Sequence, residues 1–147
     1  MENIEIVNNI DENIIDSIFL IASKSEYIHL SKDYIKQYIE DKYHRVIIIK
    51  DTNMIVGFLI YFLLYSDADI IFIATYPNNK GYGKKLLSYL FDDANNNNNI
   101  SSIKLDLHEN NLNAKNFYTK NGFKEIAIRK KYYDNQFNAL IMEKQLN

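Results

Sequence analysis

Lys80-Gly81-Tyr82-Gly83-Lys84-Lys85 is the segment of this chain best suited to chemistry. Two of its 4 glycines stand here, one residue apart. The apolar run 70–74 precedes them, and Leu86, Leu87, Leu90, Phe91 and Ala94 follow at helical spacing. A strand that turns through glycines into a helix aims several backbone N–H groups at one point, where the helix dipole adds partial positive charge. Glycine takes positive φ and lets a ligand approach the backbone closely. With Lys80, Lys84 and Lys85 beside it, the segment can hold a phosphate or pyrophosphate. An ordinary strand–turn–helix is the competing account of the same residues. The dinucleotide fingerprint needs a third glycine where Leu86 stands, and the P-loop needs four residues between its glycines and then Lys-Ser/Thr. Neither pattern is present.

Composition narrows the function classes. A chain of 147 residues predicts one domain, 1–147, around one core. A formal net charge of −2 argues against general nucleic-acid binding, which needs a basic surface. The longest apolar run, 55–65, is broken by Gly57 and falls short of the roughly 20 residues of a membrane helix. Met1-Glu2-Asn3-Ile4-Glu5 lacks the basic start of a secretory signal, so a cytoplasmic location is expected. The absence of cysteine excludes disulfides, thiolate metal sites and a cysteine nucleophile. His29, His44 and His108 show no metal-ligand spacing, and no Ser-His-Asp order is present, so no metal is expected.

The elements that must position the glycine segment follow from periodicity. Residues 4–7 predict a short strand, and Ile14, Ile15, Ile18, Ile21 and Ala22 predict a helix. Ser31 caps a second helix with Tyr34, Ile35, Tyr38 and Ile39 on one face. Runs 46–49 and 55–64 flank the turn signal Asp51-Thr52-Asn53 and predict a hairpin. Ser66-Asp67-Ala68-Asp69 predicts a turn into a fourth strand, 70–75, which feeds the glycine segment and a helix to residue 94. The asparagines at 95–99 predict a polar loop. Ile103, Leu105 and Leu107 alternate with polar residues as in a strand. Residues 113–120 predict a short helix with Phe117 turned to the core and Asn121-Gly122 at its end. Two last strands, 123–129 and 138–144, are expected with a long aromatic connection, 130–136.

This order, with Gly-x-Gly between the fourth strand and the third helix, resembles the GNAT family of N-acetyltransferases, and within it the bacterial RimI type. Four segments carry the resemblance. They are Asp67-Ala68-Asp69-Ile70-Ile71-Phe72-Ile73-Ala74; Lys80-Gly81-Tyr82-Gly83-Lys84-Lys85-Leu86-Leu87; Leu105-Asp106-Leu107-His108 with Asn111, Ala114, Phe117-Tyr118 and Asn121-Gly122-Phe123; and Arg129-Lys130-Lys131-Tyr132-Tyr133 with Ala139-Leu140-Ile141-Met142. The chain departs from the family at Asn78, where Gln or Arg is usual, in a shorter stretch 75–80, and at Asp106, where the RimI type has Glu.

The resemblance implies an α+β fold: one mixed, mostly antiparallel sheet of roughly seven strands flanked by roughly four helices. It implies an acetyl-CoA-dependent N-acetyltransferase acting on a primary amine, foremost a protein N-terminal α-amine. A small-molecule amine, or a CoA-binding module without catalysis, are the alternatives. It assigns the acetyl-pantetheine arm to the backbone of Ile73, Ala74 and Thr75 and to Asn111. It assigns the pyrophosphate to Asn79, Lys80, Gly81, Tyr82, Gly83 and Lys84. Asp106 becomes the base, or else an ordinary exposed carboxylate. Neutralising an α-amine of pKa about 7.7–8.0 at pH 7 costs only about 1 kcal/mol, so one carboxylate suffices. Asp67 and Asp69 are substitutes, Asp67 doubling as a turn former. Tyr118 protonates the departing thiolate or packs beside Phe117. Asp69, Tyr132 and Tyr133 are expected to contact the acceptor.

Overall fold

The computed structural model describes residues 1–96 and 99–146. Seven strands, β1 (Glu2–Ile6), β2 (His44–Asp51), β3 (Met54–Leu64), β4 (Asp67–Thr75), β5 (Ser102–His108), β6 (Lys124–Tyr133) and β7 (Phe137–Gln145), form one sheet ordered β1-β2-β3-β4-β5-β7-β6. Four helices, α1 (Glu12–Ser23), α2 (Lys32–Glu40), α3 (Tyr82–Asn96) and α4 (Leu112–Lys120), complete the expected order and the α+β class. All strand pairs are antiparallel except β4 with β5.

The helices start where side chains satisfy free N–H groups. Asp11 accepts from the N–H of Asn13 and Ile14 at 3.0 and 3.2 Å, Ser31 from Tyr34 at 3.1 Å, and Asn111 from Ala114 at 3.3 Å. α4 ends in a Schellman motif: Phe123 N–H reaches the Tyr118 carbonyl, Gly122 N–H reaches that of Thr119, and Gly122 takes φ +94°. α1 and α2 bury Ile15, Ile18, Ile21, Ile35 and Ile39 against Val46, Ile48, Phe58 and Ile60 on one face of the sheet. α3 buries Leu86, Leu87, Leu90 and Ala94 against Ile47, Leu59, Tyr61 and Ile103 on the other. Each such aliphatic side chain contributes about 1.5–3 kcal/mol of transfer free energy.

Several local expectations are corrected. The turn into β4 is Tyr65-Ser66, with Tyr65 at φ +56°, so Asp67 is no turn former. It pairs with Leu64 and Ser102, and its Oδ1 accepts from Ser102 Oγ at 3.0 Å. The connection 130–136 shrinks to a turn at 134–136, because β6 runs on to Tyr133, which pairs with Phe137 past a bulge at Lys131 (φ +53°). Asn95 and Asn96 prolong α3; the rest of the loop expected over 95–99 includes 97 and 98, outside the described residues. In α4, Tyr118 is the buried aromatic and Phe117 only partly so. On α2, Ile35 and Ile39 are buried while Tyr34 is exposed.

One irregularity shapes everything else. Ile60 on β3 faces Phe72 while the next residue, Tyr61, faces Ile70, which leaves Ile71 as an extra residue in β4. Such a bulge bends its strand and increases local twist. β4 pairs with β5 only at 67–69 against 102–104, immediately before the bulge. From Leu105 onward β5 pairs with β7 alone, so the two central strands part.

Burial raises the pKa of Tyr61 and Tyr118; for Tyr61, the hydrogen bond to Asp93 Oδ2 at 2.7 Å adds to it. The unfolded chain loses these protons near pH 10 while the native state keeps them. Their stabilisation is therefore complete below about pH 10 and lost above it. Thermal unfolding followed from about pH 9 to 11 should show the melting temperature falling less steeply in Tyr61→Phe than in wild type. Parallel curves would mean that Tyr61 does not keep its proton.

Candidate active site

The parting of β4 and β5 leaves one edge of β4 without a strand partner beyond Asp69. Tyr76 N–H donates to the Val56 carbonyl at 2.8 Å, so it points toward β3. Backbone groups alternate sides along an antiparallel strand. The N–H groups of Thr75 and Ile73 therefore face the gap, whereas those of Ala74 face β3. Of the three residues expected to line this path, two offer donors. Ala74 instead packs its side chain against the α1–α2 cluster.

The start of α3 faces the same region. Lys85 N–H reaches the Gly81 carbonyl at 3.3 Å, which makes Gly81 the cap residue. The N–H groups of Tyr82, Gly83 and Lys84 then precede the first intrahelical bond. Gly81 has no side chain to satisfy them, unlike the caps of α1, α2 and α4. Gly81 takes φ +81°, and a Cβ there would meet nothing within 4 Å. Gly83 has a different reason: its Cβ would come 2.9 Å from the Phe117 ring, so glycine lets the start of α3 lie against that ring. Asn79 (φ +63°), Lys80 and Lys84 are exposed, while Lys85 is engaged with Glu2.

Tyr82 fixes this turn from below. It is 7% exposed, and its hydroxyl donates to Asp51 Oδ2 at 2.6 Å. The other Asp51 oxygen accepts from Thr52 Oγ1 at 3.2 Å and the Met1 amino group at 3.5 Å. The hairpin tip and the chain start thus hold the glycine turn. Asp51 reads in the sequence only as a turn residue, because its partner lies 31 residues away.

Tyr118 sits on the α3/α4 side, 5% exposed, edge-on to Phe117 and Phe123 at 5.3 and 5.4 Å. Asn111, at the same end of β5, already uses its Oδ1 to cap α4.

The opposite face carries charge. Leu105 and Leu107 face the α3 core, so Lys104, Asp106 and His108 alternate to the other side. Asp69 joins them, because Ala68 and Ile70 face the α3 core. Asp106 pairs with Arg129 Nη1 at 3.6 Å. Asp69 is half-buried, and its pKa is raised by burial first, then by Asp67 and Asp106, against the opposing charges of Lys104 and Arg129. Tyr133 stacks on His108 at 5.0 Å, and the Arg129 guanidinium lies 5.5 Å from the exposed Tyr132 ring. Tyr27, from the α1–α2 connection, meets His108 at 5.1 Å and donates to the Asn110 carbonyl at 3.2 Å. The alternation of β5 already places His108 beside Asp106 in the sequence, but sequence reasoning missed Tyr27 and Arg129 as neighbours of this face, because contacts spanning tens of residues leave no local pattern.

The gap thus has cationic and N–H donor groups with Tyr118 on one side, and carboxylates with aromatic rings on the other. Such a site can hold a polyanion in one half and draw an ammonium into the other. Among the described residues no three His, Asp or Glu side chains are placed to hold a metal ion, and no helix is long and apolar enough to cross a membrane.

A folded-state pKa of Asp69 above its unfolded value of about 3.9 means that ionising it costs stability at neutral pH. Its favourable contribution is complete below about pH 4 and lost as the pH rises through the folded value. Asp69→Asn should therefore melt higher than wild type at pH 7, with the difference shrinking toward pH 4. A lower melting temperature at pH 7 would show that the carboxylate is held by favourable contacts instead.

The sequence model described as the acetyltransferase (GNAT) family matches residues 13–123. A [ribosomal protein bS18]-alanine N-acetyltransferase of Haemophilus ducreyi is 29% identical over 142 residues, covering 92% of this chain and 97% of that protein. The crystal structure of the ribosomal-protein-S18-alanine N-acetyltransferase from Escherichia coli superposes with a TM-score of 0.86 at 20% identity, covering 100% of this chain and 95% of that one. Ard1 from Thermoplasma volcanium shares the fold at a TM-score of 0.86 and 21% identity, with 99% and 98% covered.

Proposed function

The chain belongs to the acetyltransferase (GNAT) family, and from that premise we propose that it moves an acetyl group from acetyl-CoA to the α-amine of a protein N-terminus, with 1–147 acting as one catalytic domain in the cytoplasm. The family's acyl donor is acetyl-CoA, whose thioester supplies the activated acetyl group. The observation that carries the proposal is the gap between β4 and β5, with lysines and free N–H groups on one side and Asp69 and Asp106 on the other.

The residues present fit the donor. Gly81 leaves open space where a Cβ would stand, and the N–H groups of Tyr82, Gly83 and Lys84 precede the first intrahelical bond, next to the exposed Lys80 and Asn79. These hold the pyrophosphate. The N–H groups of Ile73 and Thr75 bind the pantetheine arm along the free edge of β4, and the side-chain amide of Asn111 reaches it from the far wall. A preorganised N–H in that position also stabilises negative charge on a carbonyl oxygen.

The acceptor approaches from the carboxylate side. Asp69 and Asp106 attract the ammonium, and Asp106 takes its proton, either directly or through water. Arg129 orients Asp106 at 3.6 Å. Tyr132 and Tyr133 flank the entry. Tyr118, a phenol that is protonated at neutral pH and is held edge-on to Phe117 and Phe123, donates its proton to the leaving sulfur. The Haemophilus and Escherichia proteins are named for acting on an alanine of a ribosomal protein. Their shared length and fold support an α-amine, alanine first, as the acceptor here.

The test is direct. The protein, acetyl-CoA and a peptide beginning with alanine and containing an internal lysine are incubated, and tandem mass spectrometry locates the acetyl group. Acetylation of the α-amine is expected; acetylation of the lysine alone, or none, overturns the proposal. In the same assay Tyr118→Phe should lower kcat by about 10²–10⁴-fold while acetyl-CoA still raises its melting temperature.

A further inference from the structure

A cavity of about 330 Å³ opens on the carboxylate face, lined by His29, Leu30, Tyr34, Tyr38 and Phe72. None of these residues has a part in acetyl transfer as described. Phe72 ties the cavity to the reaction site. It lies on β4 just past the bulge, three residues beyond Asp69, where β4 has already left β5. Like Ala74, it packs toward α1 and α2, on the same face as Asp69. The other walls come from α2 and the connection before it. Tyr38 meets Phe72 edge-on at 6.3 Å and is backed by His44 at 4.8 Å. Tyr34, 57% exposed, forms the rim.

The chemistry of the walls differs from that of the floor beside them. Among the described residues no carboxylate, lysine or arginine lines the cavity, although Asp69 and Asp106 stand on the same face. Charge therefore places the acceptor's amine at the carboxylates, and aromatic surface is left for the next residue of the peptide. Two extended residues span about 7 Å. Phe72 stands three residues along β4 from Asp69, a separation of at most about 10 Å that the bulge shortens, so an amine held beside Asp69 has its second side chain within reach of Phe72. We propose that this cavity is a side-chain subsite that selects a bulky apolar residue, such as Leu or Phe, at the second position of the acceptor. The inference rests on the proposed N-terminal acceptor and specifies its sequence.

Four peptides differing only at the second residue, Ala-Gly, Ala-Ser, Ala-Leu and Ala-Phe, separate the two ideas. Their kcat/KM values are measured with wild type, Tyr34→Ala and Tyr38→Ala. The Leu and Phe peptides should exceed the Gly peptide by at least about tenfold, since apolar pockets discriminate at about that level or more. Tyr34→Ala should reduce the Phe-to-Gly ratio severalfold, and a ratio is insensitive to any loss of folded protein. Equal values for all four peptides, a preference for Gly or Ser, or a ratio unchanged in both variants overturns the subsite while N-terminal acetylation stands. No acetylation of any peptide overturns both.

Discussion

The bulge at Ile71 is the constraint on which the site depends. A parallel pair continued to the end of β4 would consume the N–H groups of Ile73 and Thr75 and close the sheet. The extra residue instead twists β4 away after three pairs, and β5 turns to β7 for its remaining partners. Ile73 and Thr75 are only partly buried, so water satisfies the free edge until a ligand takes its place. A ligand with its own amide groups is a natural partner for such an edge. The bulge also shifts side-chain parity, so that Asp69 before it and Phe72 after it share the face away from α3.

Other local costs gather at the same place. The first turn of α3 has no side-chain cap, and burial disfavours the ionised form of Asp69. Both work against folding and both serve the proposed chemistry: free N–H groups for a polyanion and negative charge for an ammonium. The surrounding structure compensates with rigid supports. Tyr82 on Asp51, Gly83 against Phe117, and Tyr27 on Asn110 hold the two walls in place. That pattern is the ordinary signature of a functional site in an otherwise consistent fold.

The element order is legible because it rests on short-range signals. Isoleucines at helical spacing mark α1, Ser31 marks the cap of α2, Gly122 marks the end of α4, and the glycine pair marks the start of α3. The details that make the site are not legible in this way. Ile70-Ile71-Phe72-Ile73 is apolar throughout, without a glycine or proline to reveal the bulge. Tyr65 adopts a turn conformation that its residue type disfavours, so the turn signal falls on the aspartates after it. The aromatic stretch 130–133 reads as a loop because its strand pairing depends on the partner at Phe137. The link of Tyr82 to Asp51 and the cavity beside Phe72 arise from contacts between distant segments.

The proposed chemistry requires the free edge of β4 to be the acyl-donor path. Amide hydrogen exchange, resolved by residue with and without acetyl-CoA, tests it most directly. Binding should slow exchange at Ile73 and Thr75 together with Tyr82, Gly83 and Lys84, and leave the β1 amides unchanged. Acetyl-CoA bound with unaltered exchange at Ile73 and Thr75 would contradict that path, whatever is protected elsewhere.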